Sequence, residues 1–122
     1  MAGLPASDAE LLLLHNPRCS KSRAARALLE ERGVAFTERR YLEEPLAPAE
    51  LRELAARLGR PAREWARTGE FAWREAGLSG DAEESAVLAA MAAHPILVER
   101  PILVRGRRAV VGRPPERVLE LL

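Results

Sequence analysis

Cys19 is the only cysteine in the 122-residue chain, and its neighbours favour an ionised thiol beside an anion. It falls where the apolar run Leu11–Leu14 gives way, through His15-Asn16-Pro17, to a stretch that reads as a helix from Ser20. The first backbone N–H groups of a helix lack partners and carry partial positive charge, so they attract anions and stabilise a thiolate over a thiol. An ordinary thiol, with a pKa of about 8.5, is only a few per cent ionised near neutral pH, so a nucleophile needs such help. Arg18, Lys21 and Arg23 lie within four residues and add to the positive field, and His15 is a further candidate partner. The residue types point to a nucleophilic thiolate that meets an anion; a buried, inert cysteine is the structural alternative.

Spacing narrows the chemistry. A phosphatase-type loop needs an arginine six residues after the cysteine, where this chain has Ala25. A dithiol redox centre needs Cys-x-x-Cys, and Ser22 occupies the second place. What remains is Cys19-Ser20-Lys21-Ser22, a monothiol at a helix start. An oxidised monothiol cannot resolve itself and must be rescued by an outside thiol such as glutathione. A lone cysteine also excludes an intramolecular disulfide and a Cys-rich zinc site, and it fits a reducing cytoplasm. No bound cofactor or metal is implied.

The elements that must position Cys19 follow from periodicity. Four consecutive leucines suit a strand buried on both faces. Ser20 to Arg32 carries the apolar stripe Ala24, Ala25, Leu28, Leu29 and stops at Gly33. A second strand is expected over 34–41. The middle reads as helical: one helix starts at Pro48, buries Leu51, Leu54, Ala55 and Leu58, and closes at Gly59. Short helices are expected over 61–67 and 71–76, with Trp65 and Trp73 in the core. A further helix is expected to open with Asp81 as cap and Glu84 completing a capping box, and to end at His94. The tail changes period: Ile102–Val104 and Ala109–Val111 flank Arg105-Gly106-Arg107-Arg108 as a hairpin, and Pro114-Pro115 open a last helix with Val118, Leu119 and Leu122 apolar. The order is β-α-β, a helical insert, then β-β-α. This is an α/β fold with a central sheet flanked by helices, in thioredoxin-like order.

Totals bound the rest. The length suits a single domain over 10–122, with the insert at about 47–94, after a loose leader at 1–9. A formal net charge of +1 gives no general case for nucleic acid or membrane binding. Leu11–Leu14 is far too short for a signal segment or a membrane span. Lys21 is the sole lysine among 19 basic residues, a coding bias that obliges each arginine to be argued singly. No apolar stripe is left over, so a monomer is expected.

The stretch His15-Asn16-Pro17-Arg18-Cys19-Ser20-Lys21-Ser22-Arg23 resembles the signature of the ArsC family of arsenate reductases. Tyr41-Leu42-Glu43-Glu44-Pro45, the run from His94 to Ile102, and Arg113-Pro114 are similar to its later motifs, in the same order. The resemblance covers about residues 11–122. It implies a thioredoxin-like fold with an inserted helical lobe, and a cytoplasmic enzyme in which Cys19 attacks arsenate. His15 would tune the thiolate, and Ser22 and Arg23 would support it. Arg67, Arg100 and Arg113 would bind the oxyanion, with Arg63 the rival for the first place. Pro101 matches a proline that is cis beside the cysteine in such folds. Glutathione would be co-substrate and glutaredoxin, or thioredoxin, the reductant. Arg18 and Ser20-Lys21 depart from the smaller residues usual there. Two further readings stay open: an ArsC-like thiol oxidoreductase with another substrate, and an Spx-like regulator binding RNA polymerase, against which Ser22 argues.

Overall fold

The computed structural model describes residues 3–122. Four strands form one mixed sheet in the order β2-β1-β3-β4: β1 Leu11–Leu14, β2 Thr37–Arg39, β3 Ile102–Arg105 and β4 Arg108–Val111. β1 runs parallel to β2 and antiparallel to β3, which pairs antiparallel with β4. The four leucines of β1 are all buried, as a strand covered on both faces requires. Alternation sends Leu11 and Leu13 to one face, where α1 (Ser20–Glu31) and the C-terminal segment pack with Ala25, Leu29, Val118 and Leu121. It sends Leu12 and Leu14 to the other face, under the insert, with Leu51, Leu54, Trp65, Trp73, Val87 and Met91. Burying each such side chain is worth about 1.5–3 kcal/mol, so β1 is the seam on which both cores close.

The insert comprises α2 (Pro48–Leu58), a 3-10 turn at Ala62–Glu64, α3 (Phe71–Glu75) and α4 (Glu84–Ala93). Gly59 ends α2 at φ 67°, the left-handed cap expected of a glycine there. Both tryptophans are buried in this lobe. The loop from β2 into α2 is anchored by Arg39, whose Nη1 donates to Glu50 Oε2 at 2.7 Å, whose Nε donates to Glu44 O at 3.0 Å and whose Nη2 donates to Pro45 O at 2.8 Å. Glu50 Oε1 also accepts the Ala47 N–H, the half of a capping box that an alanine cap permits.

Several expectations need correction. The second strand is three residues long rather than spanning 34–41, because Val34 and Phe36 pack beside the α1 core before pairing begins. Ala24 is exposed, and buried Ser22 takes its place on the inner face of α1. The helix expected over 61–67 stops at Glu64, so Arg67 lies on extended chain beyond it, after an isolated bridge between Ala66 and Val98. Asp81 does not cap α4: that helix starts at Glu84, Asp81 takes a hydrogen bond from Ser79, and the Glu84 carboxylate accepts the Ala62 N–H at 2.8 Å. The last helix is 3-10, Pro115–Leu121, and its three-residue repeat buries Pro115, Val118 and Leu121 while Leu122 is exposed. Residues 1 and 2 of the expected leader lie outside the described residues; in the rest of it Leu4 packs on the core, Pro5 O accepts from Arg57, and Asp8 O accepts from Arg105 Nε at 2.7 Å.

Candidate active site

Strand register brings the candidate residues to one end of the sheet. Leu14 pairs with Arg39 on one side and Ile102 on the other, and Ile102 pairs with Val111. The chain leaving β1 toward Cys19, the chain leaving β2 toward Tyr41, the Arg100-Pro101 step entering β3 and the Gly112-Arg113 step leaving β4 therefore share that end. The insert is tied to the same place by Arg67 N–H donating to Leu97 O at 2.8 Å and Glu99 N–H donating to Trp65 O at 3.1 Å.

Cys19 is the residue before the first turn of α1, with extended backbone (φ −96°, ψ 124°) and no side-chain cap bond. Its N–H donates to Asn16 O at 3.0 Å, and its carbonyl accepts the Arg23 N–H at 3.0 Å. The thiol is thus free of any capping duty at a 12-residue helix N-terminus, where unpaired N–H groups collect. Asn16 folds the approach through its Oδ1, which accepts the Arg18 N–H at 3.0 Å. Arg23 closes the loop from outside by donating from Nη1 to Pro17 O at 2.9 Å. Arg18 and Lys21 are exposed.

Ser22 is fully buried and works inward. Its Oγ accepts the Asn16 N–H at 3.0 Å and lies 2.8 Å from His15 Nδ1. Assigning the hydroxyl hydrogen to Nδ1 places the ring proton on Nε2. Burial holds the His15 pKa below the usual histidine value, with the Glu38 charge opposing that shift and nearby arginines assisting it. His15 therefore meets Cys19's loop as a neutral ring locked by Ser22.

Arg67, Arg100 and Arg113 converge on one acid that the sequence did not single out, Glu99. Its Oε1 lies 3.5 Å from Arg113 Nη1, 3.8 Å from Arg100 Nη1 and 3.9 Å from Arg67 Nε. Arg67 is held more tightly by Glu70, at 2.7 Å. Arg113 Nη1 also donates to Arg100 O at 3.2 Å. Arg100 Nε and Nη1 are buried and have no hydrogen-bond partner among the described residues. A cleft of about 440 Å³ is lined by Arg67, Thr68, Gly69, Glu70, Glu99 and Arg113. Arg63 is exposed and takes no part in this cluster. The Arg100-Pro101 and Arg113-Pro114 peptide bonds are both cis. Gly112 permits close approach: its N–H donates to Pro101 O at 2.8 Å, and a Cβ there would come within 2.8 Å of the Pro101 ring.

Tyr41 links the two halves. It is buried, its hydroxyl is 3.5 Å from Val98 O, and burial drives its pKa upward, while the charges of Arg67, Cys19 and Glu99 all reach it. Tyr41 and Glu99 both stand inside the motifs quoted above, yet a tyrosine before leucine or a glutamate before arginine carries no signal of its own.

Comparison with known proteins places the chain in a family. The family model described as "ArsC family" matches residues 14–121. The chain belongs to the ArsC family. It is 44% identical to an arsenate reductase of Neisseria meningitidis serogroup A, over 93% of this chain and 98% of that one. It is also 44% identical to an uncharacterized protein of Escherichia coli K12, over 93% and 97% of the two chains. The solved structure of an arsenate reductase from Vibrio cholerae superposes with a TM-score of 0.88 at 43% identity, covering 93% of this chain and 98% of that one. The thioredoxin-like fold expected from element order is thereby established.

Proposed function

We propose that the chain is an arsenate reductase in which Cys19 is the nucleophile and Arg67, Arg100 and Arg113 receive the oxyanion. The observation that carries this reading is Arg100. A guanidinium whose Nε and Nη1 are buried without hydrogen-bond partners is costly unless a ligand completes it. A tetrahedral oxyanion does so, because its oxygens accept the forked donors that arginine presents. The helix N-terminus at Cys19 and the guanidiniums offset the repulsion between a thiolate and an anionic substrate.

In the first step the Cys19 sulfur bonds to arsenic and an arsenate oxygen departs, taking up protons to leave as water. A second thiol, glutathione, then attacks the Cys19 sulfur. The S–As bonding pair passes to arsenic, which goes from the pentavalent to the trivalent state and leaves as arsenite. The two sulfurs are oxidised to a mixed disulfide, which glutaredoxin clears. With Ser22 locked onto His15 and Asn16, an outside thiol is the available resolving group.

The test is arsenate-dependent NADPH oxidation with glutathione, glutathione reductase and glutaredoxin, repeated with thioredoxin and its reductase. Turnover in the first system and its loss in Cys19→Ser are expected. Absence of turnover in both systems would remove the reading, and turnover with thioredoxin alone would change the reductant.

A further inference from the structure

Glu99 has a charge that opposes the anion assigned to its cleft. Its Oε1 accepts the Arg100 N–H at 3.2 Å, and the same oxygen is the nearest approach of all three guanidiniums, at 3.5 to 3.9 Å. Forked arginine–carboxylate hydrogen bonds run at about 2.7–2.9 Å. Glu99 therefore sits among the arginines without consuming their donors, and Arg100 Nε and Nη1 stay unpartnered. Glu70 already neutralises Arg67 at 2.7 Å, so a second acid here further weakens attraction for any anion. Structural pairing alone would bring Glu99 into hydrogen-bond contact with at least one guanidinium, as Arg39 and Glu50 achieve.

The hydrogen-bond inventory supplies a reason for this placement. A carboxylate only accepts, so it tolerates a neighbouring anion that brings its own hydrogen. Arsenate near neutral pH keeps a hydroxyl on its tetrahedral centre, as does phosphate. Sulfate has similar shape and charge and no hydroxyl. We propose that Glu99 determines specificity by accepting a hydrogen bond from the hydroxyl of the bound oxyanion while Arg67, Arg100 and Arg113 donate to its other oxygens. The three-arginine site then takes protonated tetrahedral oxyanions and rejects sulfate, whose oxygen would face the Glu99 carboxylate with no hydrogen between them. This inference rests on the oxyanion assignment above. Sites built to bond a substrate hydroxyl reject analogues lacking it by about 10⁴-fold or more. Glu99 is a quarter exposed, so a smaller ratio of about 10²-fold is expected after solvent screening.

Calorimetric titration of the full chain with inorganic phosphate and with sulfate, beside the arsenate turnover assay, tests this. Phosphate should bind about 10²-fold more tightly than sulfate. In Glu99→Gln, whose amide can donate to sulfate, sulfate affinity should rise at least about tenfold and the ratio should collapse. Glu99→Ala, which removes the acceptor, should also admit sulfate. Equal binding of phosphate and sulfate by the unmodified chain overturns the inference, and so does an unchanged ratio in both variants. Arsenate turnover together with equal anion binding would sink the specificity role alone. No anion binding and no turnover would sink the arsenate reductase reading and this inference with it.

Discussion

Arg39 and Arg100 both have largely buried side chains, 9% and 14% exposed, and they stand at the same end of the sheet, one closing β2 and the other just before β3. Arg39 engages all three of its guanidinium nitrogens: two contacts to Glu50, at 2.7 and 3.1 Å, and two backbone carbonyls close its fork. Arg100 has an ion pair at 3.8 Å and two buried nitrogens with no hydrogen-bond partner. The same residue type thus serves as an anchor in one place and as an open receptor in the other. In a chain so rich in arginine, composition says nothing about which is which; the satisfaction of donors does.

The largest effect should come from breaking the anchor. Arg39→Ala leaves the part-buried Glu50 without its partner, so a loss of about 3 kcal/mol, the lower end of the range for buried pairs, is expected. Chemical denaturation should register that loss. The pair also gives an acid signature. Burial pushes the Glu50 carboxyl up, but the Arg39 hydrogen bonds, the Ala47 N–H and the Arg39 charge outweigh it and hold the pKa below the usual glutamate value. A carboxyl depressed in the folded state contributes stability above its unfolded pKa and loses it as pH falls through the folded one. Stability should therefore drop below about pH 4.5, and Glu50→Gln should flatten that part of the profile.

Arg100→Ala should reverse the pattern. Loss of one donor to a developing anionic centre costs about 10²–10³-fold in rate, so kcat/KM for arsenate should fall by that order. Removing a buried, unpartnered charge should leave the melting temperature unchanged or raised. A large stability loss with intact kinetics would erase the contrast between the two arginines.

Much of this contrast was legible in the sequence, but unevenly. The strand–loop–helix around Cys19, the buried leucines, the hairpin and both tryptophans follow from apolar period and turn residues. The C-terminal helix is not legible there, because Val118, Leu119 and Leu122 satisfy an α period, whereas the chain adopts a three-residue repeat through Pro115, Val118 and Leu121. The local sequence puts Arg67 on a helix, since nothing near it announces the bridge from Ala66 to Val98. Glu99 and Tyr41 carry no such local signal, because their positions depend on pairings 30 residues or more away in sequence. Periodicity reports which face is buried. It does not report which donors lack acceptors.

Gly112→Ala probes the spacing between the receptor arginines at a smaller scale. A methyl group there would meet Pro101 Cγ at 2.8 Å and Val118 Cγ1 at 2.9 Å, and a proline ring cannot rotate aside. Overpacking of this kind costs about 1–3 kcal/mol. Because Gly112 lies between Val111 and Arg113, the shift should separate Arg113 from Arg100 O. A rise in KM for arsenate larger than the fall in kcat, with a lowered melting temperature, is the expected outcome. An unaltered KM would mean that the Arg113 position tolerates displacement.

The smallest effect concerns His15, where the folded state keeps a base neutral. Burial lowers its pKa from the reference value of 6.5, so the unfolded chain takes up a proton first as pH falls. Folding stability should decline as pH drops below about 6.5, with a slope of at most about 1.4 kcal/mol per pH unit for this one proton, and the slope should vanish below the folded pKa. His15→Gln should abolish that part of the profile while leaving the Glu50 part at lower pH in place. The two titrations lie on opposite sides of the contrast, one at the Cys19 loop and one at the Arg39 anchor. Denaturation curves collected from about pH 8 to about pH 2 on the two variants would separate them, because the Glu50 loss lies below its unfolded pKa and the His15 loss above it, and a shared response would show no distinct site protonation.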